Sequence, residues 1–334
     1  MKNTATIRDI AAKANVSHVT VSNAINGTGR VSESTAEYIR ALAKRMGYVP
    51  HASARSLRLG KTKTISYLTN HSLHFPYVYE FVEELQKYLI PYEYHLRLEL
   101  LQHFPDPGIV YHKLSRAICD GVIVHNADEN DCKHIRDLKR RDIPVVAVMT
   151  RGISGVDYVD YDVKESARLG MDHLLSVGCR NIVIVGVGVK DRQHNPQRLS
   201  GCREALNAYG LPMKDSDVFG WDVDEDPIPL WECIKKRRPL PDGIFSSNED
   251  LALALMKKIL ASGYRIPNEI AMVAQGNTRN LRYADVPLSA VDNNYAKLAQ
   301  AAAETLLSRI KGGDAKNRRI IIAPKLIVRP SSRS

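Results

Sequence analysis

The stretch NVSHVTVSNAIN, residues 15–26, repeats apolar residues at helical spacing, yet its polar face carries His18, Thr20, Ser22 and Asn23 and no Lys or Glu. A helix that only faces water is usually dressed in charge. Neutral donors and acceptors suit hydrogen bonding to a patterned surface such as base edges in a major groove. Bond-making chemistry has little support elsewhere in the chain. GVGVK at 186–190 lacks the third glycine of a dinucleotide fingerprint, and there is no GxSxG, HExxH or P-loop. The histidines are dispersed, and Cys119, Cys132, Cys179, Cys202 and Cys233 include no CxxC pair. They read as reduced thiols, neither a disulfide framework nor a metal site. No catalytic residue, metal or cofactor is assigned.

Charge narrows the partner. The 334 residues carry a net charge of +10, and residues 1–63 hold eleven Lys and Arg against three acids. A solvated basic tail would look the same in composition, but a basic segment that also folds points to a polyanion. Hydrophobic content of 44% and charged content of 25% are those of a soluble globular protein. With no basic-then-apolar leader and no run of 18 apolar residues, neither secretion nor membrane insertion is expected. A cytoplasmic protein is the expectation.

The elements that would carry the 15–26 face can be read directly. Thr6 with Asp9 makes a capping-box start for IRDIAAKA, and Ser17 caps a second helix over about His18–Asn26. Gly27 and Gly29 end it. Ser32 caps a third, ESTAEYIRALAKRM, with Gly47 beyond its end. Two short helices on a tight turn, braced by a third, describe a helix-turn-helix module; an ordinary three-helix bundle is the alternative on spacing alone.

The run TIRDIAAKANVSHVTVSNAIN, followed by GRVSESTAEYIRALAKRMGYVPHASARSLRLGKTKTI, closely resembles the LacI/GalR family of bacterial transcription regulators over about 60 residues. The resemblance implies base-reading roles for His18, Val19 and Asn23. It sets Thr6, Ser17, Thr20, Ser22, Asn26 and Ser32 against the phosphate backbone. In the linker PHASARSLRLG it implies a hinge helix in the minor groove, with Ser53, Ala54, Arg55 and Leu57 at the contact and Leu57 wedged into a base step. A helix that short is marginal alone, because nucleation is costly.

From Thr64 onward, apolar β-branched runs (ISYLT, HLRLELL, GVIVHN, IPVVAVM, NIVIVGVG, DGIFSS, IAMVAQG) alternate with helical patterns. That alternation implies an α/β core of parallel sheets covered by helices, with ligands beyond the C-terminal strand ends. The resemblance makes this a two-lobed, periplasmic-binding-protein-like core. The expected division is 1–50 for DNA, 51–63 for the hinge and 64–334 for effector binding and dimerisation. Within the core the lobes are expected at about 64–159 plus 291–322, and 160–290 plus 323–334.

The effector cleft implied by the resemblance involves Phe75, Tyr77, His125, Arg192, Arg198, Trp221, Asn248, Gly276 and Asn293. Two departures stand out. Glu249 replaces the aspartate that usually follows Asn248, and VAQGNT puts Gly276 where an aspartate usually grips ligand hydroxyls. Loss of that carboxylate argues against a neutral sugar, and Arg192 with Arg198 favours a uronate or phosphorylated sugar. LIVRPSSRS carries no leucine heptad, so a homodimer on a palindromic operator is expected. The function implied is an effector-modulated repressor. A solute-binding protein with no DNA role is the alternative, and the basic module argues against it.

Overall fold

The computed structural model describes residues 5–48, 61–73, 75–115, 118–128, 130–150, 153–187, 195–221, 226–313 and 316–332. It divides into two units, Met1–Thr62 and Lys63–Ser334.

The first unit is three helices: α1 (Ile7–Ala14), α2 (His18–Asn26) and α3 (Glu33–Arg45). Their starts follow from the capping residues. Asp9 N–H donates to Thr6 Oγ1 at 3.3 Å while Thr6 N–H donates to the Asp9 carboxylate at 2.8 Å, a reciprocal box. Ser17 Oγ accepts from Thr20 N–H at 3.0 Å, and Ser32 Oγ from Thr35 N–H at 3.3 Å. Ile10, Val21, Ala24, Ile39 and Leu42 form the buried centre. Arg40 Nε donates to the Ala24 carbonyl at 3.1 Å, tying α3 to α2.

The second unit holds two six-stranded sheets. The first contains β1 (Thr64–Thr69), β2 (His95–Leu100), β3 (Gly121–His125), β4 (Val145–Val148), β5 (Asp157–Tyr161) and β11 (Arg319–Ile322), in the order β11-β5-β4-β3-β1-β2, all parallel. The second contains β6 (Ile182–Val185), β7 (Val218–Phe219), β8 (Gly243–Ser246), β9 (Ala271–Gln275), β10 (Ser289–Asp292) and β12 (Lys325–Ile327), in the order β12-β10-β9-β8-β6-β7. Its neighbours are parallel except β12, which runs antiparallel to β10 at the edge. The covering helices are α4 (Pro76–Leu89), α5 (Gly108–Leu114), α6 (Asp131–Arg140), α7 (Val163–Ser176), α8 (Asn195–Ala208), α9 (Ile228–Ile234), α10 (Glu249–Ala261) and α11 (Tyr295–Ile310).

Every strand named from the sequence is a strand here. DYVDY, SAVD, RIII and KLI were not among them. Asp157 and Asp160 disguise β5 as a loop, although both side chains are buried. The chain passes between the sheets three times: from β5 into α7, from β10 into α11, and from β11 into β12.

One ion pair fixes the second passage. Arg309 on α11 donates through two nitrogens to Asp157 at 2.6 and 2.7 Å, and Arg318 N–H donates to the same carboxylate at 2.7 Å. Asp157 is 3% exposed. α11 is thereby clamped to β5 and to the turn into β11, with Leu298, Ala302 and Leu306 packed against Ile65, Tyr67 and Phe81. Breaking a buried pair strands the surviving charge. Asp157→Ala should therefore lower core stability by about 3 kcal/mol, read from the midpoint of a urea titration. An unchanged midpoint would show the clamp to be idle.

Candidate functional site

In the first unit the helix α2 lifts its N-terminal turn outward. His18 is exposed and Val19 is 54% exposed, an unusual placement for a β-branched residue in so small a core. The other polar groups of this face are partly engaged within the module. Asn23 Oδ1 accepts from Thr28 Oγ1 at 3.3 Å, and Asn26 Nδ2 donates to the Ser22 carbonyl at 2.5 Å. A Cβ on Gly29 would lie 2.6 Å from Asn23 Nδ2, and its φ of +73° is left-handed, so glycine there lets Asn23 lie flat. Thr6, Ser17 and Ser32 are exposed at the three helix starts, and Thr20 and Ser22 are partly exposed. The expected hinge contacts Ser53, Ala54, Arg55 and Leu57 lie outside the described residues, as does Arg192.

In the second unit the C-terminal strand ends gather the polar groups. On the first sheet, His71 Nδ1 is hydrogen-bonded to Tyr77 Oη, and Asn126 Nδ2 donates to His71 Nε2. The His71 ring lies 5.3 Å from Phe75, and Tyr77 stacks on Tyr295 at 5.3 Å. His125 is fully buried beneath them, with its ring 5.3 Å from Phe81 and its Nδ1 bonded to Tyr67 Oη. It supports the aromatic wall from behind. Asn293 sits in the second passage, where its Oδ1 accepts from Ser166 Oγ at 2.9 Å and its Nδ2 donates to Tyr295 Oη at 3.3 Å.

On the second sheet, Arg198 of α8 is 4% exposed and its Nε donates to Gln275 Oε1 at 2.7 Å. Gln275 Nε2 is buried with no hydrogen-bond partner among the described residues. An unpaired buried polar atom is costly, so this amide marks a place where a partner belongs. Asn248 caps α10 through Leu251 N–H at 2.9 Å, and Trp221 packs against the core of this lobe.

Glu249 lies between these groups. It is 6% exposed, and its Oε1 accepts from Thr278 N–H at 2.5 Å. Burial pushes its pKa up to about 8, opposed by hydrogen bonds from the Thr278 N–H and hydroxyl and aided by the charges of Glu80 and Asp250. Glu80 Oε1 in turn accepts from Arg279 N–H at 3.1 Å, joining α4 to the segment after β9 across the cleft. A groove of about 520 Å³ opens beside this contact, lined by Glu80, Asn277, Arg279, Asp292 and Tyr295 among others.

Sequence reading marks His125-Asn126 as a strand-end candidate but misses His71 and Tyr295. Each is a single polar or aromatic residue at a strand end or passage, and only the fold brings them to one wall with Asn126. Glu249 is legible as a departure and not as a member of the site.

Residues 6–51 match the model of bacterial regulatory proteins of the lacI family, and residues 171–332 match that of a periplasmic binding protein-like domain. The chain thus joins a lacI-family regulatory domain to a periplasmic binding protein-like domain. It is a DNA-binding transcription regulator. Its relatives include a probable HTH-type transcriptional repressor ExuR of Bacillus subtilis, 28% identical over 98% of both chains. They also include the HTH-type transcriptional repressor PurR of Mannheimia succiniciproducens, 29% identical over 98% of both. The fold matches a lac repressor dimer bound to operator and the anti-inducer ONPF, with a TM-score of 0.84 at 18% identity over 99% of both chains. It also matches a CelR–cellobiose complex, with a TM-score of 0.72 at 24% identity over 98% of this chain and 99% of the other. No helix among the described residues is long and apolar enough to cross a membrane.

The buried carboxyl gives this regulator a pH signature. Glu249 holds its proton in the folded state up to about pH 8, whereas the unfolded chain releases it near the ordinary glutamate value of 4.5. The native state therefore binds more protons between these limits, and stability falls as pH rises through that window. Glu249→Gln removes this contribution. The stability difference between variant and parent, followed by denaturation in the absence of ligand, should shift in favour of the variant from pH 5 to pH 8. A pH-independent difference would show the carboxyl to be ionised throughout.

Proposed function

We propose that this regulator is a repressor that binds a twofold operator as a homodimer and answers to an anionic, acceptor-rich small molecule such as a uronate. In this reading residues 1–50 read DNA, 51–63 form the hinge and 64–334 bind effector and dimerise, in the cytoplasm where the DNA lies. The repressors among its relatives support the transcriptional part, and the operator-bound neighbour supports the twofold assembly.

The observation that carries the ligand class is the donor-rich second-lobe wall. The Arg198 guanidinium, the unpaired Gln275 amide and a protonated Glu249 all offer hydrogen near the C-terminal strand ends. A ligand rich in acceptors, and one that bears a carboxylate for the arginine, meets them best. Opposite stand Tyr77, Tyr295 and Phe75, whose faces suit the apolar side of a sugar ring. Ligand held by both walls changes the balance between lobe arrangements, and that change is the coupling to the DNA-reading heads.

On DNA, His18, Val19 and Asn23 carry discrimination while the nearby Lys and Arg carry general attraction. Substituting any of the three should change which operator is selected, at about 1–3 kcal/mol per lost base contact. Removing Arg8 or Lys13 should instead weaken all duplexes alike and flatten the salt dependence of a gel shift. No sequence preference under any condition would end the DNA-reading assignment. For the effector, calorimetry should show uronates binding more tightly than the matching neutral pyranoses. Tight binding of neutral sugars alone would overturn the ligand class.

A further inference from the structure

Gly276 closes β9 with a φ of +99°, a backbone conformation that favours glycine. A Cβ built there would lie 2.6 Å from Glu249 Cδ, 2.8 Å from Glu249 Oε1 and 2.9 Å from Glu249 Cγ. The space in front of residue 276 is thus already filled, by a carboxyl that arrives from the first turn of α10. Glu249 reaches it because Asn248 caps the helix and starts α10 at the strand end of β8. Its carboxyl is held by the Thr278 N–H at 2.5 Å, two residues beyond Gly276. The same short segment carries the unpaired Gln275 Nε2, and Gln275 in turn holds Arg198 through its Oε1.

We propose that Glu249 is the specificity-determining residue of this cleft, its carboxyl interlocked with Gly276 and offered to an acidic ligand as a hydrogen-bond donor on the lobe that also carries Arg198. The absence of a side chain at 276 and the presence of a glutamate at 249 are then one feature. Glycine makes the room, and glutamate fills it with a carboxyl from a neighbouring helix. The ligand class rests on the reading of the cleft given above, whereas the interlock does not. A buried donor carboxyl on the same lobe as a guanidinium favours a ligand carboxylate over a ligand hydroxyl, because a carboxylate long enough to reach both accepts from both.

Two measurements on the full chain separate these parts. The first is a double-mutant cycle on the thermal transition of the core without ligand, using G276A, E249A and the double variant. Strain from the positive φ is common to both backgrounds and cancels in the cycle. G276A should lower the melting temperature by several degrees in the parent and clearly less in the E249A background. Additive losses would overturn the interlock. The second is calorimetry with glucuronate and galacturonate against glucose and galactose. E249A should weaken uronate binding by about tenfold, while E249Q, which keeps shape and a donor, should stay close to the parent. Equal uronate affinity in E249A and parent would overturn the specificity role. Coupling in the cycle with no uronate binding by the parent supports the interlock and overturns the ligand class.

Discussion

Two parallel sheets share one chain that crosses between them three times, and each sheet is completed by a strand that arrives from the other side. This constraint sets everything in the effector region. Parallel strands leave their C-terminal ends on one edge, and the crossings turn the two edges toward the same gap. Arg309 on Asp157 holds the second crossing in register by joining α11 to β5 within a largely desolvated clamp. Tyr295 stands at the first position of α11, so that clamp also sets one wall of the cleft.

The two walls have different chemistry. The first lobe offers rings, with Phe75, Tyr77 and His71 resting on the buried Tyr67, Phe81 and His125. The second offers donors, from Arg198, Gln275 and Glu249. Burial decides the character of the last of these. A carboxyl at a helix start would ordinarily ionise, but Glu249 is out of water and lies near two other acids, so its proton stays. Glu80 reaches the Arg279 N–H from the opposite lobe, which makes the electrostatics of the cleft depend on how the lobes meet.

The DNA-reading module works on another principle. Its core is small, and stability comes from caps placed at each helix start together with one arginine that bridges two helices. The strongest caps use Ser and Thr, so few charges are needed on the face of α2. His18 and Val19 can then stand exposed without competing groups beside them, while Asn23 is steadied by Thr28 and by the glycine beneath it.

Much of this was legible in the sequence because the signals are local. Capping residues, helical spacing, β-branched runs and the basic first segment each act within a few residues, and α1, α2, α3 and the central strands follow from them. The donor-rich wall was not legible, since Arg198, Glu249 and Gln275 are far apart in the chain and meet only at strand ends. In the sequence Glu249 and Gly276 were two unrelated departures. Tertiary structure joined them: the carboxyl of α10 fills the space that a side chain on the residue after β9 would take, so one must move if the other is present. The sequence determined which groups exist and how each helix begins; packing decided which of them face the same gap and which keeps its proton there.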